Sequence, residues 1–296
     1  MFINQVIYKK YFPKYNHDIN IQDRYINYFN DLHSRFNFPL DKLSIKNYSY
    51  RHHELGNKLF ELMSNKFNFR KCDYVLFPSW GVPFDPDYAT HELHYKHKFN
   101  IESKMIDVRD CGSLCVFRAI DLASDLMRSE CNKAILSCSI ETKGSPAWNK
   151  MLSISPELNY ISAIEILKES ESKKLTEIIC IKIKNNIINS DLWQAIKDIL
   201  CENNIEAEDC TGFARAKNNL FMLGEINHNL FEFIFKIKWE PIYFKPSSGF
   251  VCYCLDQLIN SKVITKREYI IIIDQDAESH SVALLILKLH HEKNHA

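Results

Sequence analysis

Apolar residues along the first part of the chain alternate between helical spacing and short continuous runs. In 53–67 and 113–128 they recur every three or four positions, which is typical of helices that pack one face on a core. Shorter, nearly continuous apolar runs have the length of buried strands. The pattern predicts helices over 53–67, 87–98 and 113–128, and strands over 72–78, 103–110, 132–140 and 158–167. This β-α-β alternation predicts a parallel-rich sheet flanked by helices.

The pattern restarts after a polar stretch, KESESKK, at 168–174. It then predicts strands over 175–183, 240–244, 268–274 and 281–289, and helices over 191–203 and 248–260. The last two strands are placed to pair with each other. Two halves with a similar order of elements predict a duplicated α/β unit, with an N-terminal half over 1–170 and a C-terminal half over 171–296.

Composition narrows the class of protein. The 296 residues allow a sizeable core, and the 37 basic and 37 acidic side chains cancel. The balance gives no reason to expect a nucleic-acid partner. No apolar run reaches a membrane span and no signal peptide is evident, so we expect a cytoplasmic protein with no membrane partner. Cysteines inside apolar runs are expected to be small buried hydrophobes of a reducing compartment: Cys72, Cys180, Cys252 and Cys254.

The segment IDVRDCGSLCVFRAIDLASDLMR at 106–128 carries the candidate chemistry. It predicts a strand, a tight turn at Gly112 and then a helix, with Cys111, Ser113 and Cys115 in the turn. Free N–H groups and the positive dipole end at a helix N-terminus can stabilise a thiolate or hold an oxyanion. These residues are therefore candidate nucleophiles. The alternative is that the serine is a helix cap and the cysteines are buried.

The block CDYVLFPSWGVPFDPDYATHELHYKHKFNIESKMIDVRDCGSLCVFRAIDLASDLMRSECNKAILSCSIE resembles the core of the thiolase-like superfamily, in its ketoacyl-ACP synthase III branch. Family members have a nucleophilic Cys at a helix start, with Ala six and ten residues later. YFKPSSGFVCYCLDQL resembles the segment with the family's catalytic His, and REYIIIIDQDAESHSVALLIL resembles its final hairpin. The resemblance implies an α/β thiolase-like fold, with two duplicated βαβαβ-type halves forming a five-layered α-β-α-β-α domain.

The chain departs from the family pattern at each catalytic position. Counting back from Ala119 and Ala123 places Ser113 at the nucleophile, with Cys111 and Cys115 on either side. The resemblance places Lys245 at the usual His. It places the usual Asn within AESHS at 277–281, where no Asn occurs. His280, the only His of that loop, is a further candidate, although a turn residue is the simpler interpretation.

These departures imply a subunit related to ketoacyl synthase III that acts on acyl-CoA or acyl-carrier-protein thioesters in a specialised fatty-acid or polyketide-type pathway. The loss of Cys, His and Asn implies a catalytically degenerate partner in a heterodimer with a ketosynthase paralogue, or else a homodimer. The alternative is a self-sufficient, non-decarboxylating acyltransferase that uses Ser113 or a neighbouring Cys. No cofactor is expected beyond the thioester substrate.

Metal sites and phosphate-binding loops are two other kinds of site that a sequence can indicate. HELHYKH places His91, His94 and His97 at intervals of three, which could hold a metal ion. The spacing differs from HExxH, and a surface helix is the favoured interpretation, so no metal site is expected. A structural homodimer or metal-binding protein is the third and least favoured class. No glycine-rich phosphate loop occurs.

Overall fold

The computed structural model describes most of the chain in separate ranges: 1–11, 52–67, 72–79, 103–108, 112–129, 134–141, 159–169, 176–185, 189–217, 220–221, 236–243, 248–260, 267–276 and 281–290. The strands are β1 (Phe2–Tyr11), β2 (Tyr74–Pro78), β3 (Lys104–Val108), β4 (Ala134–Glu141), β5 (Asn159–Leu167), β6 (Thr176–Lys184), β7 (Cys210–Lys217), β8 (Leu220–Phe221), β9 (Lys238–Tyr243), β10 (Tyr269–Asp276) and β11 (Ser281–Leu289). The helices are α1 (His52–Lys66), α2 (Cys115–Ser129), α3 (Asn189–Glu202) and α4 (Phe250–Asn260). Short 3-10 turns lie at Gly112–Leu114 and Ala207–Asp209.

The strand order repeats between the two parts of the chain. In the first part the order is β3-β2-β4-β5-β1, and in the second it is β9-β7-β10-β11-β6, with the short β8 also paired to β7. A ladder of two residue pairs between β1 and β6 joins the two sets of strands. The elements also repeat along the chain: β1 and α1 precede β2 in the first part, and β6 and α3 precede β7 in the second. The predicted duplication is therefore visible in the topology, whereas the domain boundary at residue 170 stays a prediction.

Strand directions are mixed rather than mainly parallel. β2 is parallel to β3 and β4, and β7 is parallel to β9 and β10. The ladders β4–β5, β5–β1, β10–β11 and β11–β6 are antiparallel. The predicted parallel-rich sheet is thus wrong for β5, β1, β6 and β11, whose ladders are antiparallel. Only four residues join β10 to β11, and a parallel connection requires a longer crossover.

Alternate residues of each sheet face different helices, which gives five layers. In β2, Leu76 packs in a cluster with α2 and α4, whereas Val75 and Phe77 pack in a cluster with α1. In β10, Ile272 faces the same central cluster and Ile271 faces a cluster with α3. The order of layers is therefore α1, first sheet, α2 with α4, second sheet, α3. Burial on both faces explains why these strands are almost continuously apolar.

The central position of α2 corrects the expectation that it packs on one sheet through one face. Most of its first half is buried, and Cys115, Val116, Phe117, Ala119 and Ile120 each have no exposed surface. This packing follows from a helix lying between two sheets. Only the second half presents exposed residues such as Asp125 to solvent.

The cysteine expectations are confirmed for three of four positions. Cys72, Cys252 and Cys254 are buried, but Cys180 in β6 is half-buried. Cys252 and Cys254 are both buried although they point in different directions, because α4 shares the central layer with α2. β1, β7 and β8 were not predicted, and the predicted helix over 87–98 lies outside the described residues. Within the described ranges, no helix is both long and apolar enough to cross a membrane.

Candidate active site

The turn before α2 has a backbone conformation that requires glycine. Gly112 has φ of +52°, in the left-handed region. A Cβ atom at this position would lie 2.4 Å from Oδ1 of Asp276, the last residue of β10. Position 112 is thus closed to any side chain, including a nucleophilic one, while Asp276 keeps its place.

Ser113 is buried and is held by the same carboxylate. Its backbone N–H donates to Asp276 Oδ1 at 3.1 Å, and its Oγ lies 3.2 Å from the same oxygen. The hydroxyl also lies 3.5 Å from the carbonyl oxygen of Gln275. Asp276 therefore caps the start of the α2 segment from a strand of the other half of the chain.

The capping contact has a clear chemical consequence for Ser113. A carboxylate is favourable at the positive end of a helix. Here it already accepts the hydrogen bond from the N–H that an oxyanion would need. An alkoxide developing on Ser113 Oγ would also lie beside a negative charge, which disfavours it. The geometry therefore favours the capping role over the nucleophilic role for Ser113.

Of the other four predicted site residues, one lies in the part of the chain that the structure describes. Cys115 is the first residue of α2 and is fully buried beside Ser113 in the same turn. Cys111, Lys245 and His280 lie outside the described residues. The structure thus brings Ser113 and Cys115 into one turn, and the catalytic roles of all five residues stay predictions.

A second buried polar cluster lies at the start of α4 and was not predicted from the sequence. Oε2 of Glu141, the last residue of β4, accepts a hydrogen bond at 3.2 Å from the backbone N–H of Ser248, and the Ser248 hydroxyl contacts the same oxygen. Tyr160 OH lies 2.6 Å from Ser248 Oγ and 2.7 Å from Ser139 Oγ. The Ser139 hydroxyl in turn lies 3.0 Å from the carbonyl oxygen of Pro78. These contacts form one chain of polar groups inside the core.

Burial favours the uncharged forms of a tyrosine and a cysteine in this cluster. It raises the pKa of Tyr160 well above its usual range and raises the pKa of the Cys252 thiol to about 12. Ser162 Oγ lies 3.1 Å from Cys252 Sγ, so this thiol also has a polar neighbour. Tyr8 stacks on Tyr160 with ring centroids 5.7 Å apart. The cluster is therefore packed, polar and shielded from water.

The two clusters are equivalent positions of the duplicated fold. The last residue of β10 caps the start of α2, and the last residue of β4 caps the start of α4. Each carboxyl group comes from the opposite half and contacts both the N–H and the hydroxyl of a serine. Serine before each helix and an acid at each strand end are the sequence signals that could have identified this pair.

Comparison with solved structures identifies the architecture. The structure is similar to ChlB3, an acyltransferase, with a TM-score of 0.64 and 10% identity over 97% of each chain. The chain has the thiolase-like fold. It is also similar to AbyA1, a tetronic acid condensing enzyme, with a TM-score of 0.60 and 8% identity over 97% of this chain and 100% of that one. A structure of OleA from Xanthomonas campestris with bound lauric acid and lauroyl-CoA is similar as well. Its TM-score is 0.59, with 11% sequence identity over 90% of this chain and 94% of that one.

Sequence comparison adds no relative to these structural similarities. No family model matches it, and no curated protein sequence matches it. The fold predicted from the resemblance is confirmed, with its five layers. The three histidines considered as a possible metal site, His91, His94 and His97, lie outside the described residues.

Proposed function

We propose that the protein is a ketoacyl-synthase-III-like subunit that takes part in condensation of acyl-CoA or acyl-carrier-protein thioesters. In this proposal it is a catalytically degenerate partner in a heterodimer with a ketosynthase paralogue. The pathway is a specialised fatty-acid or polyketide-type pathway. The names of similar structures, an acyltransferase and a tetronic acid condensing enzyme, support this class of chemistry.

One observation carries the proposal of a degenerate site. Asp276 Oδ1 accepts from both the N–H and the hydroxyl of Ser113, where the resemblance places the nucleophile. Acyl transfer needs a nucleophile and donors that can hold the oxyanion. Here a carboxylate occupies one such donor, and Gly112 leaves the adjacent position without a side chain. A chain built this way is suited to completing or shaping a partner's site.

An edge of the sheet supports pairing with a partner. β3 lies at the end of the strand order and, among the described strands, pairs with β2 alone. Lys104 and Asp107 on this strand are exposed. An edge strand has backbone donors and acceptors that a second chain can use, and its charges can select that chain. The same edge serves a heterodimer or a homodimer.

The alternative function is a self-sufficient, non-decarboxylating acyltransferase. The favouring observation is the 3.2 Å contact between Ser113 Oγ and Asp276 Oδ1, because a hydroxyl needs a nearby base to become a nucleophile. In that mechanism Asp276 takes the Ser113 proton and Ser113 Oγ attacks the thioester carbonyl carbon. The C–S bond then breaks, and the CoA or carrier thiol leaves with the proton that Asp276 had taken. Cys111 and Cys115 are the other candidate acceptors.

Intact-protein mass spectrometry separates the two functions. The purified chain is incubated with lauroyl-CoA, alone and together with a ketosynthase-III-like protein of the same organism that carries the complete catalytic set. We expect no acyl adduct on this chain, an adduct on the partner, and co-purification of the two. Faster condensation by the mixture than by the partner alone completes the expected result.

The variants Ser113→Ala, Cys111→Ala and Cys115→Ala identify any acceptor, and Cys201→Ala serves as the matched control because Cys201 is exposed on α3. An adduct on the isolated chain that disappears only in one of the first three variants would overturn the degenerate-subunit proposal. It would name the nucleophile of an acyltransferase instead. An adduct lost only in Cys201→Ala reports surface acylation and leaves the expected result for the site unchanged.

A further inference from the structure

The polar chain at the start of α4 has one contact more than the hydrogens that its hydroxyl groups can supply. Its five oxygens run in order from Glu141 Oε2 through Ser248 Oγ, Tyr160 OH and Ser139 Oγ to the carbonyl of Pro78. Four successive oxygen–oxygen contacts link them, and the three from Ser248 Oγ onward lie between 2.6 and 3.0 Å. At these separations each contact needs one hydrogen.

The side chains of the chain supply three hydrogens when Glu141 is ionised. Ser248, Tyr160 and Ser139 have one hydroxyl hydrogen each, and a carboxylate and a carbonyl have none. If Ser248 donates to Glu141 and Ser139 donates to Pro78, both serine oxygens must accept from Tyr160, which has one hydrogen. Reversing Ser139 so that it donates to Tyr160 moves the empty contact to Pro78 and does not remove it.

We propose that Glu141 is a protonated, neutral carboxylic acid in the folded protein. Its proton is then the fourth hydrogen, and the chain runs in one direction. Glu141 donates to Ser248, Ser248 donates to Tyr160, Tyr160 donates to Ser139, and Ser139 donates to the Pro78 carbonyl. Every contact is filled, and the Ser248 N–H still donates to Glu141 Oε2.

Neighbouring groups fit a neutral acid at this position. Glu141 is only 4% exposed, and burial disfavours the charged form of a carboxyl. Tyr8 from β1, Tyr160 from β5 and Cys252 from α4 face it. Burial raises the pKa of all three, and they face Cys115, Tyr253 and Asp256 in turn. None of these six groups is cationic.

Because all four hydrogen bonds need the Glu141 proton, the contact between the two halves of the chain depends on pH. Glu141 belongs to β4 and Ser248 to the start of α4, so the proton joins a strand of the first half to a central helix of the second. Pro78 contributes a backbone carbonyl, which accepts a hydrogen bond but does not take up a proton at ordinary pH. The chain therefore holds its proton rather than conducting it, and ionisation of Glu141 empties one link.

Linkage between pH and stability tests this protonation state. A glutamate in the unfolded chain ionises near pH 4.3, so above that pH the folded protein binds one more proton than the unfolded protein. The Glu141→Gln side chain can donate to Ser248 without a titrating proton. We expect the ratio of folding equilibrium constants, Glu141→Gln over wild type, to be flat below about pH 4 and to rise about tenfold per pH unit above it.

Ser129→Ala is the control, because it changes an exposed hydroxyl on α2 and removes no ionisable group. Its ratio over wild type should not change with pH. A flat or falling ratio for Glu141→Gln between pH 5 and 8 would overturn the proposal.

Infrared spectroscopy provides a test that does not require the variant to fold. In wild-type protein with carbon-13-labelled glutamate, a band of a protonated carboxyl should persist at pH 7, and it should be missing in Glu141→Gln if that variant folds. No such band in the wild type overturns the proposal. A band that persists in a folded Glu141→Gln variant overturns it as well.

Discussion

Ser113 and Asp276, 163 residues apart in the chain, are joined by two hydrogen bonds to a single carboxylate oxygen at 3.1 and 3.2 Å. The contact ties the helix of one half to the last residue of a strand in the other. Because both groups are buried, water cannot replace Asp276 as the acceptor.

Asp276→Ala should therefore destabilise the fold. It leaves the Ser113 N–H and hydroxyl buried without this acceptor, which costs about 2–4 kcal/mol, whereas Asp276→Asn keeps an acceptor oxygen and costs about 1–2 kcal/mol. Urea unfolding measures both. Asp125→Asn, on the exposed part of α2, is the control and should stay within about 0.5 kcal/mol of wild type. Equal stability of Asp276→Ala and wild type would show that the cap is unimportant.

Gly112 and Asp276 should be energetically coupled. Gly112→Ala introduces a Cβ 2.4 Å from Asp276 Oδ1 and a side chain at φ of +52°, so we expect a loss of about 3 kcal/mol or more. In an Asp276→Ala background the collision is gone, and the loss from Gly112→Ala should fall to about 1 kcal/mol from the left-handed backbone alone. A double-mutant cycle measures this difference, and additive losses would contradict the close contact.

The repeated topology was accessible from the sequence because its strands are buried on both faces. Runs such as YVLFP and SVALLILKL are apolar at nearly every position, and their order along the chain gave both halves. β1 was missed because FINQVIYKKY mixes buried and exposed positions without strict alternation. β7 was missed because CTGFARAK contains two charged residues and Gly212, whose missing side chain makes room for Trp239.

The site was accessible only in part. Ser113 was identified because a strand, a glycine turn and a helix follow one another locally. Asp276 and the Glu141–Ser248 contact were not, because each is a pairing across more than 100 residues that local patterns do not encode. Residues that neighbour one another only through the duplicated topology require the fold to be known first.

The Tyr160 hydroxyl should be coupled to Ser248. Tyr160→Phe removes a hydroxyl that contacts two serines, so we expect a loss of about 1–3 kcal/mol. Adding Ser248→Ala should cost less in the Tyr160→Phe background than in wild type, because one shared contact is already gone. Ser129→Ala, an exposed serine at the end of α2, is the control for loss of a hydroxyl. Urea unfolding of the four variants gives the coupling energy, and a value of zero would show that the chain does not act as one unit.

Cysteine alkylation should distinguish the thiols of the protein, because their exposure to solvent differs sharply. Cys201 is exposed on α3, whereas Cys252 and Cys254 are buried in the central layer. Burial raises the pKa of Cys252 to about 12, so about one molecule in a thousand is a thiolate at pH 9, and the thiolate is the reactive form. In native protein treated with iodoacetamide between pH 7 and 9, we expect labelling of Cys201 first and no labelling of Cys252 at any pH in this range.

Peptide mass spectrometry measures both sites, and denatured protein, in which Cys252 becomes accessible, is the control. Labelling of native Cys252 at the rate of Cys201 would contradict a closed central layer.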